Sequence, residues 1–115
     1  MADPERLFHH ELCFGCGQAN LFGLQLELTR GADGVEGRFF VKQDHQGEPG
    51  FAHAGVLTAA LEDALAMTAG SRPARLSVEL LAPAPVGTFV RVHASAGSAE
   101  LSDEGGAVLA RAAVA

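Results

Sequence analysis

Two groups of residues in this 115-residue chain have types and spacing suited to chemistry. Cys13 and Cys16 are the only cysteines, and His9 and His10 stand just upstream, so four donors that suit a soft metal fall within eight residues. One cysteine pair beside one histidine pair is a weaker metal signature than two cysteine pairs, and a thioredoxin-type motif needs a preceding strand, of which the pattern shows none. The preferred reading is a packed N-terminal turn with reduced thiols and no metal, with zinc as the alternative. The second group surrounds the apolar run Ala54–Ala69, whose only charges are Glu62 and Asp63. An unpaired charge on an apolar helix is costly, which points to a function for at least one of them. If the run begins a helix at Ala54 or Gly55, the unpaired N–H groups there face out of its end and can hold a carbonyl oxygen. A polarised carbonyl and a nearby carboxylate or activated water are the ingredients of acyl transfer.

The elements that must position these groups follow from periodicity. Leu24, Leu26 and Leu28 alternate with polar residues as in a half-buried strand, Gly31-Ala32-Asp33-Gly34 turns the chain, and Val35, Gly37, Phe39 and Val41 mark a second strand, giving a hairpin. Gln43 to Ala52 carries Gly47, Pro49 and Gly50 without periodicity and reads as a loop. Ala54 to Ala69 is rich in helix formers, with Gly70 and Pro73 as stop signals. Its apolar residues cover nearly the whole circumference, so other elements must wrap it. Strands follow at Leu76–Leu80, around Val90–Ala94, at Ala99–Asp103 and at Ala107–Val114, the last two as a closing hairpin. The sum is an α+β domain over 1–115, an antiparallel sheet curled around one long helix, with 1–20 as an N-terminal segment bearing the cysteine loop.

Composition narrows the function classes. Eight Lys and Arg against fourteen Asp and Glu give a net charge of −6, which disfavours nucleic-acid binding. No apolar stretch approaches the roughly 20 residues of a membrane span, and Met1 to Arg6 lacks the pattern of a signal peptide, so a cytoplasmic location without membrane partners is expected. Seven Phe with no Trp or Tyr imply a thin, Ala-rich core that gains from a second subunit.

The stretch His45-Gln46-Gly47-Glu48-Pro49-Gly50-Phe51-Ala52-His53-Ala54-Gly55-Val56-Leu57, followed by Glu62-Asp63, resembles the hotdog-fold acyl-CoA thioesterases of the PaaI-like group. Cys13 to Asn20 with Gly23-Leu24, and Ala74 to Gly87, are similar to segments of the same superfamily, so the resemblance covers almost the whole chain. It implies a homodimer, or a homotetramer of paired dimers, with active sites between subunits, an acyl-CoA substrate and no cofactor. It places a carbonyl-binding N–H on Gly55, with His53 shaping the turn, and gives the carboxylate role of nucleophile or general base to Glu62. Asp63 stands one residue later, rotated by about 100°, and takes over if the loop is shifted by one. Gln46 and Gly47 fall where related enzymes help hold the carbonyl or the water, and Ala54 lies against the thioester. Arg72 and Arg75 are placed to meet coenzyme A phosphates, and His45 reads as a loop residue bonded to backbone. The implied activity is hydrolysis of a small, medium or aromatic acyl thioester to acid and CoA. Departures from the family pattern, among them Ala54 for Gly, Pro73 for Ser or Thr and Ala82 for Arg, support the alternative of an acyl-CoA-binding hotdog protein without turnover. A dehydratase ranks last, because Ala60 stands where that branch carries a helical carboxylate.

Overall fold

A computed structural model describes residues 5–115; residues 1–4, the start of the N-terminal segment and part of the stretch read for a signal peptide, lie outside it. Leu28, Val35, Phe39, Val90, Val92, Ala94, Leu101 and Ala110, all less than 3% exposed, come from strands whose alternation puts one face inward. The strands are β1 (Arg6–Leu7), β2 (Glu27–Arg30), β3 (Val35–Phe40), β4 (Leu76–Leu80), β5 (Phe89–Ser95), β6 (Ser98–Ser102) and β7 (Val108–Val114). They form one antiparallel sheet in the order β1-β2-β3-β5-β6-β7-β4. A short 3-10 turn, Gln43–His45, and the helix α1 (Ala54–Ala69) connect β3 to β4 and carry the chain from the interior of the sheet to its far edge. The inner face closes over Leu57, Ala60, Leu61, Ala64 and Leu65 of α1. Each fully buried Leu there contributes on the order of 1.5–3 kcal/mol, and the Ala positions let the sheet approach the helix closely. This is the sheet curled around one helix that the sequence leads one to expect, with the helix bounds as predicted.

The helix ends as its sequence dictates. His53, in extended conformation, is the N-cap, and Gly70 closes the C-terminus at φ 76°, a left-handed conformation that glycine adopts without strain, donating its N–H to the Ala66 carbonyl.

The N-terminal third differs from expectation in two ways. A two-residue strand, β1, does precede the cysteine loop, pairing with Leu28 and Thr29. Regular pairing in β2 begins only at Glu27, although Leu24 and Leu26 are buried as the alternation predicts. The cysteine loop imposes this: Gln25 sits at φ 51°, and the amides of Leu24 and Leu26 donate to the carbonyls of Phe14 and Gly15. That segment is spent on holding the cysteine loop. Among the described residues no helix is long and apolar enough to cross a membrane.

Candidate active site

The loop before α1 is organised by its own backbone. Gly47 donates to Phe51, Ala52 to Ala84, and His53 to the His45 carbonyl at 2.8 Å. A Cβ on Gly47 would stand 2.8 Å from the His53 Cα, so glycine is needed for the loop to close on the helix start. Between this loop and β4 opens a groove of about 390 Å³, walled by Gly47, Phe51, His53, Ala54, Leu57 and Leu80. It is mostly apolar and lies at the N-terminus of α1, where the helix presents its positive end.

The Gly55 N–H, expected to hold a carbonyl oxygen, donates to His53 Nδ1 at 2.8 Å, so the cap side chain occupies the donor. The Ala54 amide makes no hydrogen bond to the described residues. Gln46 does not reach into the groove: its Oε1 accepts from Gly50 N at 2.7 Å and its Nε2 donates to the Gln43 carbonyl, which ties up both ends within the loop. His45 is buried and bonded to backbone as expected. Its Nδ1 accepts from the Lys42 amide at 3.1 Å, and Nε2 pairs with the Gly23 carbonyl at 3.3 Å. Burial lowers its pKa from 6.5, an effect that the Gly23 carbonyl opposes and the Lys42 charge reinforces.

The two carboxylates have separate surroundings. Glu62 follows Gly55 by seven residues, about 10 Å along the axis and within about 20° of the same direction. Its side chain is 30% exposed and receives Arg72 Nη1 at 2.6 Å. Asp63 is 2% exposed and faces the cysteine loop. Its Oδ1 accepts from Cys13 Sγ at 3.3 Å, from Arg72 Nη1 at 3.1 Å, and lies 3.2 Å from His9 Nδ1. Oδ2 is buried without a partner among the described residues. Neither carboxylate is among the residues that wall the groove, and Arg72 bridges the two. Arg75 is exposed and engages the described residues through its carbonyl, which accepts from Ala115 N.

Sequence spacing brought His9, Cys13 and Cys16 into view together; the fold adds Asp63, 47 residues beyond Cys16 in the sequence. The cysteines are unpaired and buried. His9 Nδ1 stands 3.2 Å from Cys16 Sγ and 3.9 Å from Cys13 Sγ, and the His9 amide donates to Cys16 Sγ at 3.1 Å. Burial pushes the Cys16 thiol up to about 12, against the opposing pull of the His9 amide and with help from the Asp63 carboxylate. His10 points elsewhere, its Nδ1 accepting from the Leu12 amide.

No family model matches this sequence, and no curated protein matches it. Solved structures do share its architecture. The chain is similar to a thioesterase superfamily protein at 22% identity and TM-score 0.65, over 76% of this chain and 53% of that one, so it spans about half of that protein's length. It is similar to the E. coli PaaI protein from the phenylacetic acid degradation operon at 14% identity and TM-score 0.66, over 82% of each chain. A hypothetical thioesterase protein of Streptococcus pneumoniae, solved with coenzyme A, matches at 16% identity and TM-score 0.64, over 76% of this chain and 80% of that one. The antiparallel sheet around one central helix is thus the hotdog fold of PaaI-like thioesterase-superfamily structures.

Proposed function

We propose that this hotdog-fold protein is an acyl-CoA thioesterase that hydrolyses a small, medium or aromatic acyl thioester. The observation that carries the reading is the apolar groove at the N-terminus of α1, with a carboxylate two turns further along the same side of that helix. The groove suits an acyl chain, and amides at the helix end suit the oxyanion that forms when the carbonyl is attacked. The coenzyme A held by the S. pneumoniae neighbour supports the choice of thiol.

In this reading Glu62 takes a proton from water as the oxygen attacks the thioester carbon. The amides of Ala54 and Gly55 hold the oxyanion, whose collapse expels the CoA thiolate, and the proton returns to sulfur. Direct attack by the Glu62 carboxylate, followed by hydrolysis of the anhydride, uses the same groups. Because Gly55 and Glu62 of one chain are about 10 Å apart along the helix, one carbonyl cannot touch both. A homodimer with facing α1 helices supplies Gly55 from one copy and Glu62 from the other. Arg75 is the exposed cation assigned to the CoA phosphates, and Arg72 supports it only by giving up its carboxylate pairs.

A second reading, a hotdog protein that binds acyl-CoA without turnover, draws on two contacts: His53 Nδ1 occupies the Gly55 N–H, and Arg72 occupies Glu62. Catalysis requires both to yield when substrate enters. The separating experiment is thiol release from a panel of short, medium, long and aromatic acyl-CoAs by wild type, Glu62→Gln and Asp63→Asn. Loss of general-base catalysis in Glu62→Gln should cost on the order of 100-fold or more in kcat. No turnover of any panel member, with acyl-CoA still bound, favours the binding protein.

A further inference from the structure

We propose that His9, Cys13, Cys16 and Asp63 form a structural zinc site that clamps the N-terminal segment to the central helix. The inference is independent of the acyl-CoA reading, because the cluster lies away from the groove. One donor atom from each residue falls within 4.8 Å of every other, and three of the four residues are buried. Four of the six separations, 3.2 Å (His9 Nδ1 to Cys16 Sγ), 3.2 Å (His9 Nδ1 to Asp63 Oδ1), 3.3 Å (Cys13 Sγ to Asp63 Oδ1) and 3.9 Å (His9 Nδ1 to Cys13 Sγ), lie close to those of a tetrahedral set. With Zn–S near 2.3 Å and Zn–N or Zn–O near 2.0–2.1 Å, tetrahedral ligand atoms stand roughly 3.3–3.8 Å apart.

An independent observation points to a bound cation. Asp63 Oδ2 is fully buried and has no partner among the described residues, a costly state for a carboxylate whose charge a dication bound at Oδ1 would offset. The polypeptide is also shaped for the purpose. A Cβ on Gly15 would lie 2.4 Å from the Asp63 Cγ, and one on Gly17 would lie 2.4 Å from the Glu11 carbonyl oxygen, so only glycine lets the loop fold this tightly onto the helix. The Gly17 amide donates to the Cys13 carbonyl at 2.9 Å, and the His9 amide to Cys16 Sγ.

Charge fits as well. Two thiolates, one carboxylate and one Zn²⁺ leave a net charge of −1, and the Arg72 guanidinium, 3.1 Å from Asp63 Oδ1 and 3.6 Å from Cys13 Sγ, offsets it. The S₂NO donor set favours zinc over magnesium or calcium, and four protein ligands leave no open position, so the ion holds structure and takes no part in catalysis. On binding, the two thiols release their protons to solvent and the two Zn–S bonds replace the S–H bonds, with no change of oxidation state.

The test uses the full chain purified under reducing conditions. Elemental analysis should find one Zn²⁺ per chain, and exchange with Co²⁺ should produce the intense visible bands of tetrahedral cobalt with a thiolate-to-metal band in the near ultraviolet. Cys16→Ser and Asp63→Asn should lose the stoichiometric metal, and His10→Ala should keep it. Arg72→Ala should weaken Zn²⁺ affinity about 10- to 100-fold, the usual effect of removing a partner of the ligands. A competing chelator should lower the Tm of the wild type and leave that of Cys16→Ser unmoved. The proposal is overturned if wild-type protein with two titratable thiols takes up no Zn²⁺ or Co²⁺, if Cys16→Ser binds as tightly as wild type, or if the cobalt spectrum is octahedral. A Cys13–Cys16 disulfide in protein isolated without reductant and refractory to metal would overturn it too.

Discussion

Glu62 and Asp63 are chemically alike and adjacent, yet a rotation of about 100° sends them to different neighbourhoods. Glu62 keeps a 30% exposed side chain on the side of Gly55, whereas Asp63 is buried beneath Gly15, His9 and Cys13. That the two point apart was legible in the sequence because helical rotation is fixed. What covers Asp63 was not, since the contact to Cys13 spans 50 residues and no periodicity encodes it. The tightness of that contact yields a prediction. Gly15→Ala places a methyl carbon 2.4 Å from the Asp63 Cγ, which must be relieved by moving the cysteine loop or the helix. Overpacking of this kind should destabilise the protein by about 1–3 kcal/mol, read as a lower denaturant midpoint. Gly105→Ala, whose added carbon meets only the Asp103 Oδ1 at 3.4 Å, should stay close to wild type. Equal midpoints for the two variants would show that the cysteine loop does not bear on Asp63.

At the scale of elements, the loop between β3 and α1 is held by a neutral histidine. His45 accepts from the Lys42 amide through Nδ1, so its Nε2 carries the hydrogen given to the Gly23 carbonyl. Protonation of Nδ1 would remove that acceptor and place a charge, already disfavoured by burial, near Lys42, with Asp44 as the only opposing carboxylate among the groups that shift it. The folded state therefore holds its proton more weakly than the unfolded chain, whose value is near 6.5. Stability from this group is complete above that value and is lost as pH falls from there to the lower folded-state pKa, below which it levels off. Wild type should lose denaturant midpoint on acidification through this window, and His45→Gln should show a shallower loss. Parallel pH profiles would mean that His45 is already solvated. The sequence placed His45 in a backbone-bonded loop, and it gave the helix bounds because helix formers, Gly70 and the absence of Pro agree locally. It missed β1 and the late start of β2 because both are imposed from outside. β1 is a two-residue strand set by its partner Leu28-Thr29, and the Leu24 and Leu26 amides are drawn to Phe14 and Gly15.

At the scale of the whole molecule, α1 separates the two groups assigned to the reaction. The helix end lies at the groove and Glu62 lies two turns away, so the proposed site is complete only when a second copy faces the first. In a two-fold dimer the contributions are reciprocal, each site taking a helix end from one chain and a carboxylate from the other. Gly55→Pro removes one amide in the first turn, which tolerates proline, at the cost of the cap bond to His53 Nδ1. Alone, Gly55→Pro and Glu62→Gln should each give little turnover of the preferred acyl-CoA. A mixed dimer of the two holds one site with both wild-type groups and one with neither, so co-expressed, doubly tagged heterodimers should recover about half of the wild-type rate. If both groups acted from one chain, every site of the mixed dimer would carry one defect and no activity would return. Measured on affinity-purified heterodimers, the recovered rate thus decides whether the thioester is held between chains or within one, and recovery near half places the carboxylate and the helix end on opposite subunits.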